Sequence, residues 1–194
     1  PVLIMLALVI IVVLWNHTQA PLGVDRTEGD FQVLGAVRLE EHPGNDGDSF
    51  QVQHGTQVNV YRLYFVDTCE KSDRYRSRIE HQARYFGGLK EQHVLDLGEQ
   101  ARDQTLTWLR NEPFEVYTRG ESGMNSHRIH AMIRFPQAPE NQQWLCERLV
   151  HAGLARIYTR GTALADGRSR STFEKHLREI EREAKKSNRG AWSL

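Results

Sequence analysis

Apolar and polar positions alternate along several stretches of this chain and recur at helical spacing along others. Phe31 to Glu40 reads as a strand through Val33, Leu34, Ala36, Val37 and Leu39. The turn formers His42 to Asp48 follow it. Ser49 to His54 and Gln57 to Val66 read as two strands around a short turn at Gly55. In the second, Val58, Val60, Arg62 and Tyr64 share one face, and Tyr61, Leu63 and Phe65 share the other. Lys71 to Gln92 is polar and half helical, broken at Gly87-Gly88. Gly98 to Arg110 predicts a helix from the recurrence of Ala101, Thr105, Trp108 and Leu109. Phe114 to Arg119 and Arg128 to Phe135 are two further strands, joined by the polar loop Gly120 to His127. Gln142 to Ala152 predicts a short helix ended by Gly153, and Leu154 to Tyr158 is extended. Ser171 to Ser187 predicts an amphipathic helix with Phe173, Leu177, Ile180 and Ala184 on its apolar stripe.

Five strands, a helix inserted after the third and helices late in the chain predict an α+β fold. The expected architecture is a five-stranded Greek-key barrel of the oligonucleotide-binding (OB) type carrying about three helices. The expected domain runs from residue 31 to 194, and residues 21–30, with Pro21 and Gly23, read as a linker.

Pro1 to Trp15 carries no charge and shows no alternation of faces. A helix of that length spans roughly 22 Å, short of a hydrocarbon core of about 30 Å. Residues 1–20 therefore predict a signal peptide, with Thr18-Gln19-Ala20 as a cleavage site, or a membrane anchor. Either places the domain outside the cytoplasm, secreted or tethered to a membrane through residues 1–15.

The chain has 194 residues and a formal net charge of zero. Its composition excludes a disordered chain. Two cysteines exclude a disulfide framework or a Cys-rich zinc site, and Cys69 and Cys146 read as two free thiols, with a disulfide between them as the alternative in an exported chain. Zero net charge argues against non-specific coating of nucleic acid. That zero is a sum of unlike parts: His151 to Leu194 holds ten basic and five acidic residues, so the rest carries the opposite excess.

The chemistry concentrates around one hairpin. Asp46-Gly47-Asp48 precedes the first strand of the pair, and Asp67-Thr68-Cys69-Glu70 follows the second. Pairing of the strands brings Asp48, Asp67 and Glu70 to one sheet end, with Arg62 approaching it. Clustered carboxylates resist ionising unless a cation lies between them. Oxygen donors suit a hard cation such as Ca²⁺, and an arginine fork suits a phosphate. Carboxylates, a hard cation and arginines are the parts that cleave a phosphodiester. Each residue alone has a plainer reading, Asp46 and Asp48 as turn residues and Arg62 as a surface side chain.

Asp48-Ser49, Arg62 and Asp67-Thr68-x-Glu70 together resemble the active-site signature of the staphylococcal-nuclease-like (thermonuclease) family. Three more blocks agree in order: Ser126 to Ile133, Leu149 to Ala155, and His176 to Ser193. The resemblance implies that Asp48, Asp67 and the Thr68 carbonyl hold Ca²⁺, with Asp46 shaping that site. It implies Glu70 as general base, and Arg62 and Arg128 as grips on the scissile phosphate. The implied activity is calcium-dependent hydrolysis of DNA or RNA, leaving 3′-phosphates, by a monomer. The alternative is an OB module outside the cytoplasm that binds nucleic acid without cutting it.

Two departures from the family pattern stand out. Cys69 occupies a position where the family usually has proline, and Ser126-His127 replaces an aromatic-glycine pair; Tyr158 reads first as a core or surface residue, with a substitute stacking role as the alternative. Lys71 to Gln92 looks inserted beside Glu70. It reads first as a solvated helix packed on the barrel, with a basic, aromatic flap over substrate as the alternative. The histidines, His127 and His130 included, read as surface or loop residues.

Overall fold

The computed structural model describes residues 25–122 and 126–194. The signal or anchor expected over residues 1–20 lies outside them. Among the described residues no helix is long and apolar enough to cross a membrane.

The fold is mixed α+β. Among the described residues nine strands form two sheets: β1 Arg26–Glu28, β2 Phe31–Leu34, β3 Val37–Leu39, β4 Ser49–His54, β5 Gln57–Leu63, β6 Val66–Thr68, β7 Glu115–Ser122, β8 Arg128–Arg134 and β9 Ala155–Ile157. The helices are α1 Arg76–Tyr85, α2 Glu91–Asn111, α3 Leu145–His151 and α4 Arg170–Lys186. Seven strands form one sheet in the order β1-β2-β7-β8-β5-β4-β3, and β6 pairs with β9 in the second.

The five expected strands become nine for identifiable reasons. The single strand expected over 31–40 breaks into β2 and β3 where Ala36 takes a left-handed φ of 37°. The strand expected over 57–66 stops at Leu63 because Phe65 adopts φ 70°, and the chain turns into β6 and the second sheet. Part of the expected linker joins the sheet, since Arg26–Glu28 pairs with Phe31–Val33 across a turn at Gly29. Four helices stand where about three were expected, and α2 starts at Glu91 rather than Gly98.

No ladder joins the edge strands β1 and β3, so the large sheet is not a closed barrel. It is nevertheless curved. β2 lies next to one edge and β3 forms the other, yet only Gly35 and Ala36 separate them in the chain. A span of three residues reaches about 11 Å at most, so the two margins of the sheet must approach each other there. Phe31, Val33, Phe50, Val52, Tyr61, Leu63, Val116 and Ile133 are all buried and form the core of this curve. β5 and β8 are parallel, with Arg62 opposite His130, and the long crossover between them carries β6, α1, α2 and β7.

The helices cover the sheet through the stripes expected of them. Val94, Leu97, Ala101, Thr105 and Leu109 are the buried side of α2. Phe173, Leu177, Ile180 and Ala184 are buried on α4, whose first turn is capped by the Ser169 side chain accepting from the Thr172 N–H.

Candidate functional site

The β4–β5 hairpin builds the first half of the site. Ser49 pairs with Arg62, so Asp48 stands beside Arg62 at the end of the ladder, and Leu63 donates its N–H to the Asp48 carbonyl at 2.9 Å. One guanidinium then reaches both acids. Arg62 Nη1 donates to Asp48 Oδ1 at 2.7 Å, and Nη2 donates to Asp67 Oδ1 at 2.6 Å. The Thr68 N–H donates to Asp48 Oδ2 at 2.7 Å. Asp48, Arg62, Asp67 and Thr68 therefore converge as the hairpin argument requires.

The cation between the carboxylates is supplied in part by the chain itself. Asp67 also accepts from Arg78 at 2.9 Å, from Gln82 at 3.0 Å and from Arg156 at 2.8 Å. Glu70 pairs with Arg78 at 2.8 Å. Arg78 and Gln82 come from α1, inside the segment read as an insertion, and Arg156 comes from β9. That segment is largely the solvated helix expected, with Ile79 buried on the core, but its other inward positions reach the site. Its basic character hinted at Arg78. Neither Gln82 nor Arg156 gives a local signal, because each reaches Asp67 from a different element.

The two aspartates share Arg62 yet shift in opposite directions. Burial pushes the Asp48 carboxyl up to about 6; Arg62 opposes that rise, while Asp67 and Asp46 add to it. Burial pushes Asp67 up as well, but Arg62 and Arg156, with Gln82 and Arg78, outweigh it and hold it below the ordinary range. The number of cations decides the sign. Burial likewise raises Glu70, and Arg78 partly offsets the rise.

The donor set fits a hard cation in chemistry. Asp48, Asp67 and the Thr68 carbonyl offer only oxygen, and Asp48 stands where further positive charge would relieve it. Among the described residues no three His, Cys, Asp or Glu side chains gather around one point, so the Thr68 carbonyl is needed to complete the set. Asp46 serves the turn, its Oδ1 accepting from the Gly47 N–H at 2.8 Å.

A cleft of about 380 Å³ opens beside Asp67, the acid on its wall, and is lined also by Arg62, Arg78, Arg128, His130, Arg156 and Tyr158 among others. Arg128 opens β8, exposed, two residues before the position opposite Arg62, so both arginines belong to one sheet face. The only hydrogen-bond partner of its guanidinium among the described residues is the Ser49 hydroxyl at 3.4 Å. His130 is not a loop residue: it lies within β8, stacks on Tyr64 with centroids 5.1 Å apart, and is driven toward its neutral form by burial. His127 is exposed, as expected. Tyr158 is exposed at the cleft with the Arg156 guanidinium 3.8 Å from its ring centroid.

Two glycines let other elements approach the acids. A Cβ on Gly47 would stand 2.8 Å from the Thr68 methyl. On Gly98 of α2 it would stand 2.4 Å from the Glu70 carbonyl oxygen, so α2 packs directly on the backbone that carries Glu70. Cys69 and Cys146 are free and buried, as expected. Burial pushes the Cys69 thiol up to about 12, helped by Asp67.

A larger cleft of about 640 Å³ lies between the end of β8, Trp144 and α4. Several of its polar groups are already engaged: Arg134 by Tyr117 and Gln143, Arg168 by Asp166, and His176 by Glu147. Of these two clefts, the smaller one sets arginines beside an acid of the cluster, Asp67. Scanned against protein-family models the chain matches none, and a search of curated proteins likewise finds no match.

Proposed function

We propose that this chain is a calcium-dependent phosphodiesterase of the staphylococcal-nuclease-like kind, hydrolysing DNA or RNA on a curved sheet of OB type. One observation carries the reading: Arg62 joins Asp48 to Asp67, Arg78 joins Asp67 to Glu70, and Arg62, Asp67 and Arg78 line one cleft with Arg128. The parallel β5–β8 pair, which sets Arg62 and Arg128 on one face, supports the OB assignment.

Asp48, Asp67 and the Thr68 carbonyl would hold the cation. When bound, it polarises the phosphate and lowers the charge that builds in the transition state. Arg62 and Arg128 bind the non-bridging phosphate oxygens, each able to offer two N–H groups from one plane. Glu70 takes the proton of the attacking water. Burial suits it to this task by raising its basicity above that of a free carboxylate. Arg128 is exposed, which leaves it free to follow the leaving oxygen. The exported or membrane-tethered location rests on residues 1–20, and N-terminal sequencing of the mature protein tests it.

The test of function is digestion of single- and double-stranded DNA and of RNA with Ca²⁺, with EDTA, and with Glu70→Gln. Cleavage that needs Ca²⁺ and falls about 10²- to 10⁴-fold in Glu70→Gln is expected. Undiminished cutting in EDTA would remove the cation from the mechanism. Binding without cutting under every condition would leave a nucleic-acid-binding module in its place.

A further inference from the structure

Gln82 is wholly buried and makes three hydrogen bonds with one amide. Its Nε2 donates to Asp67 Oδ2 at 3.0 Å and to the Thr68 carbonyl at 2.9 Å. Its Oε1 accepts the Glu70 backbone N–H at 2.9 Å. We infer that Gln82 is a positioning residue for the hydrolysis, clamping the Asp67–Glu70 segment from α1; this rests on the nuclease reading above.

The clamp does three things at once. By taking Asp67 Oδ2 together with Arg156, it leaves Oδ1 to Arg62 and Arg78. By holding the Thr68 carbonyl it fixes the direction of a proposed cation donor. By accepting the Glu70 N–H it fixes the backbone from which the general base projects. Only residue 69 is skipped, and there a cysteine supplies no ring to restrain φ. Opposite the clamp, α2 presses Gly98 against the Glu70 carbonyl, where a Cβ would come within 2.4 Å. The segment is thus held from two helices rather than by its own sequence.

Only a neutral amide serves all three partners, since they require two donors and one acceptor. A glutamate in its place keeps the acceptor for the Glu70 N–H but turns a carboxylate on Asp67 and on a carbonyl. A methionine of similar length and good helix propensity keeps the volume and loses all three bonds.

The experiment uses the full chain as Gln82→Met and Gln82→Glu. It measures kcat and KM on a single-stranded oligonucleotide in Ca²⁺, amide hydrogen exchange at Glu70, and cooperativity of unfolding. Gln82→Met is expected to unfold cooperatively, to lose about 10- to 100-fold in kcat with KM within about threefold, and to exchange the Glu70 amide at least about tenfold faster. Gln82→Glu is expected to lose kcat while keeping the Glu70 amide protected. A kcat within about twofold of wild type in folded Gln82→Met overturns the inference, as does a loss of kcat with unchanged exchange at Glu70. If Gln82→Met does not fold, wild-type kcat in Gln82→Glu overturns it. A wild-type chain that cleaves nothing overturns the nuclease reading, and the inference falls with it. A wild type that cleaves beside indifferent variants overturns the inference alone.

Discussion

Asp67 and Arg156 are an unequal pair, and the inequality can be measured. The Arg156 side chain is 4% exposed, and its Nε and Nη2 both point to Asp67 Oδ2 at 2.8 Å. Among the described residues it makes no other hydrogen bond and only stacks on Tyr158. Asp67→Ala therefore strands a buried cation, a change that costs about 3–5 kcal/mol. Arg62 and Arg78 are better protected, since Asp48 and Glu70 remain to them. Arg78 is also 42% exposed, so its share is small. Arg156→Met is milder, because Asp67 keeps Arg62, Arg78 and Gln82; about 1.5–3 kcal/mol is expected for the lost charged hydrogen bonds. Combining the two substitutions should cost less than their sum by about 2 kcal/mol. Urea unfolding at pH 7, followed by fluorescence of the four tryptophans, reads this directly. With a slope of about 2 kcal/mol per molar, Asp67→Ala lowers the midpoint by roughly 2 M. The pH dependence has a definite sign. Asp67 lies below the ordinary Asp value, so its stabilisation is present above about pH 4 and is lost as pH falls through the lower folded-state value. Asp67→Ala lacks that contribution to acid unfolding. Equal damage from both single variants, with a double variant that merely adds them, would refute the reasoning.

Three further outcomes are expected. Tyr158→Ala should weaken single-stranded substrate binding by about 1–3 kcal/mol, read as a rise in KM or Kd, because an exposed ring at the cleft offers a stacking surface; unchanged affinity would make it a surface residue only. Gly98→Ala ordinarily strengthens a helix by about 1 kcal/mol, but here it should lower the thermal midpoint and cut activity, since its Cβ meets the Glu70 carbonyl; a stabilised, active variant would disprove that packing. Cys69 and Cys146 should resist a thiol reagent at pH 8 until urea unfolds the chain, and fast native labelling of either would contradict their burial.

Much of the candidate site is legible along the chain because it is local to a hairpin. Asp48 and Arg62 are neighbours once β4 and β5 pair, and Asp67 and Glu70 follow within one short turn. The stripe of α4 is legible too, since the positions read as apolar are buried; on α2 Ala101, Thr105 and Leu109 are buried as read, but Trp108 is half-buried and the buried Val94 and Leu97 precede the expected start. The strand count is less so. Ala36 and Phe65 take left-handed conformations that nothing in their side chains announces, and each divides one apolar run into two strands of different partnership. Sheet pairing, not local preference, imposes those bends.

By itself the sequence determined which groups come together at the hairpin and most of the helix positions that are buried, because both follow from periodicity over a few residues. Tertiary structure alone decided what neutralises the acids and holds them. Arg78 and Gln82 arrive from α1, and Arg156 arrives from 89 positions away. The reason is physical: burying Asp67 demands partners for both its oxygens, but any donor the fold brings near can meet that demand. Which donors do so depends on where β9 and α1 dock, and that is a property of the packed core rather than of any short stretch of chain.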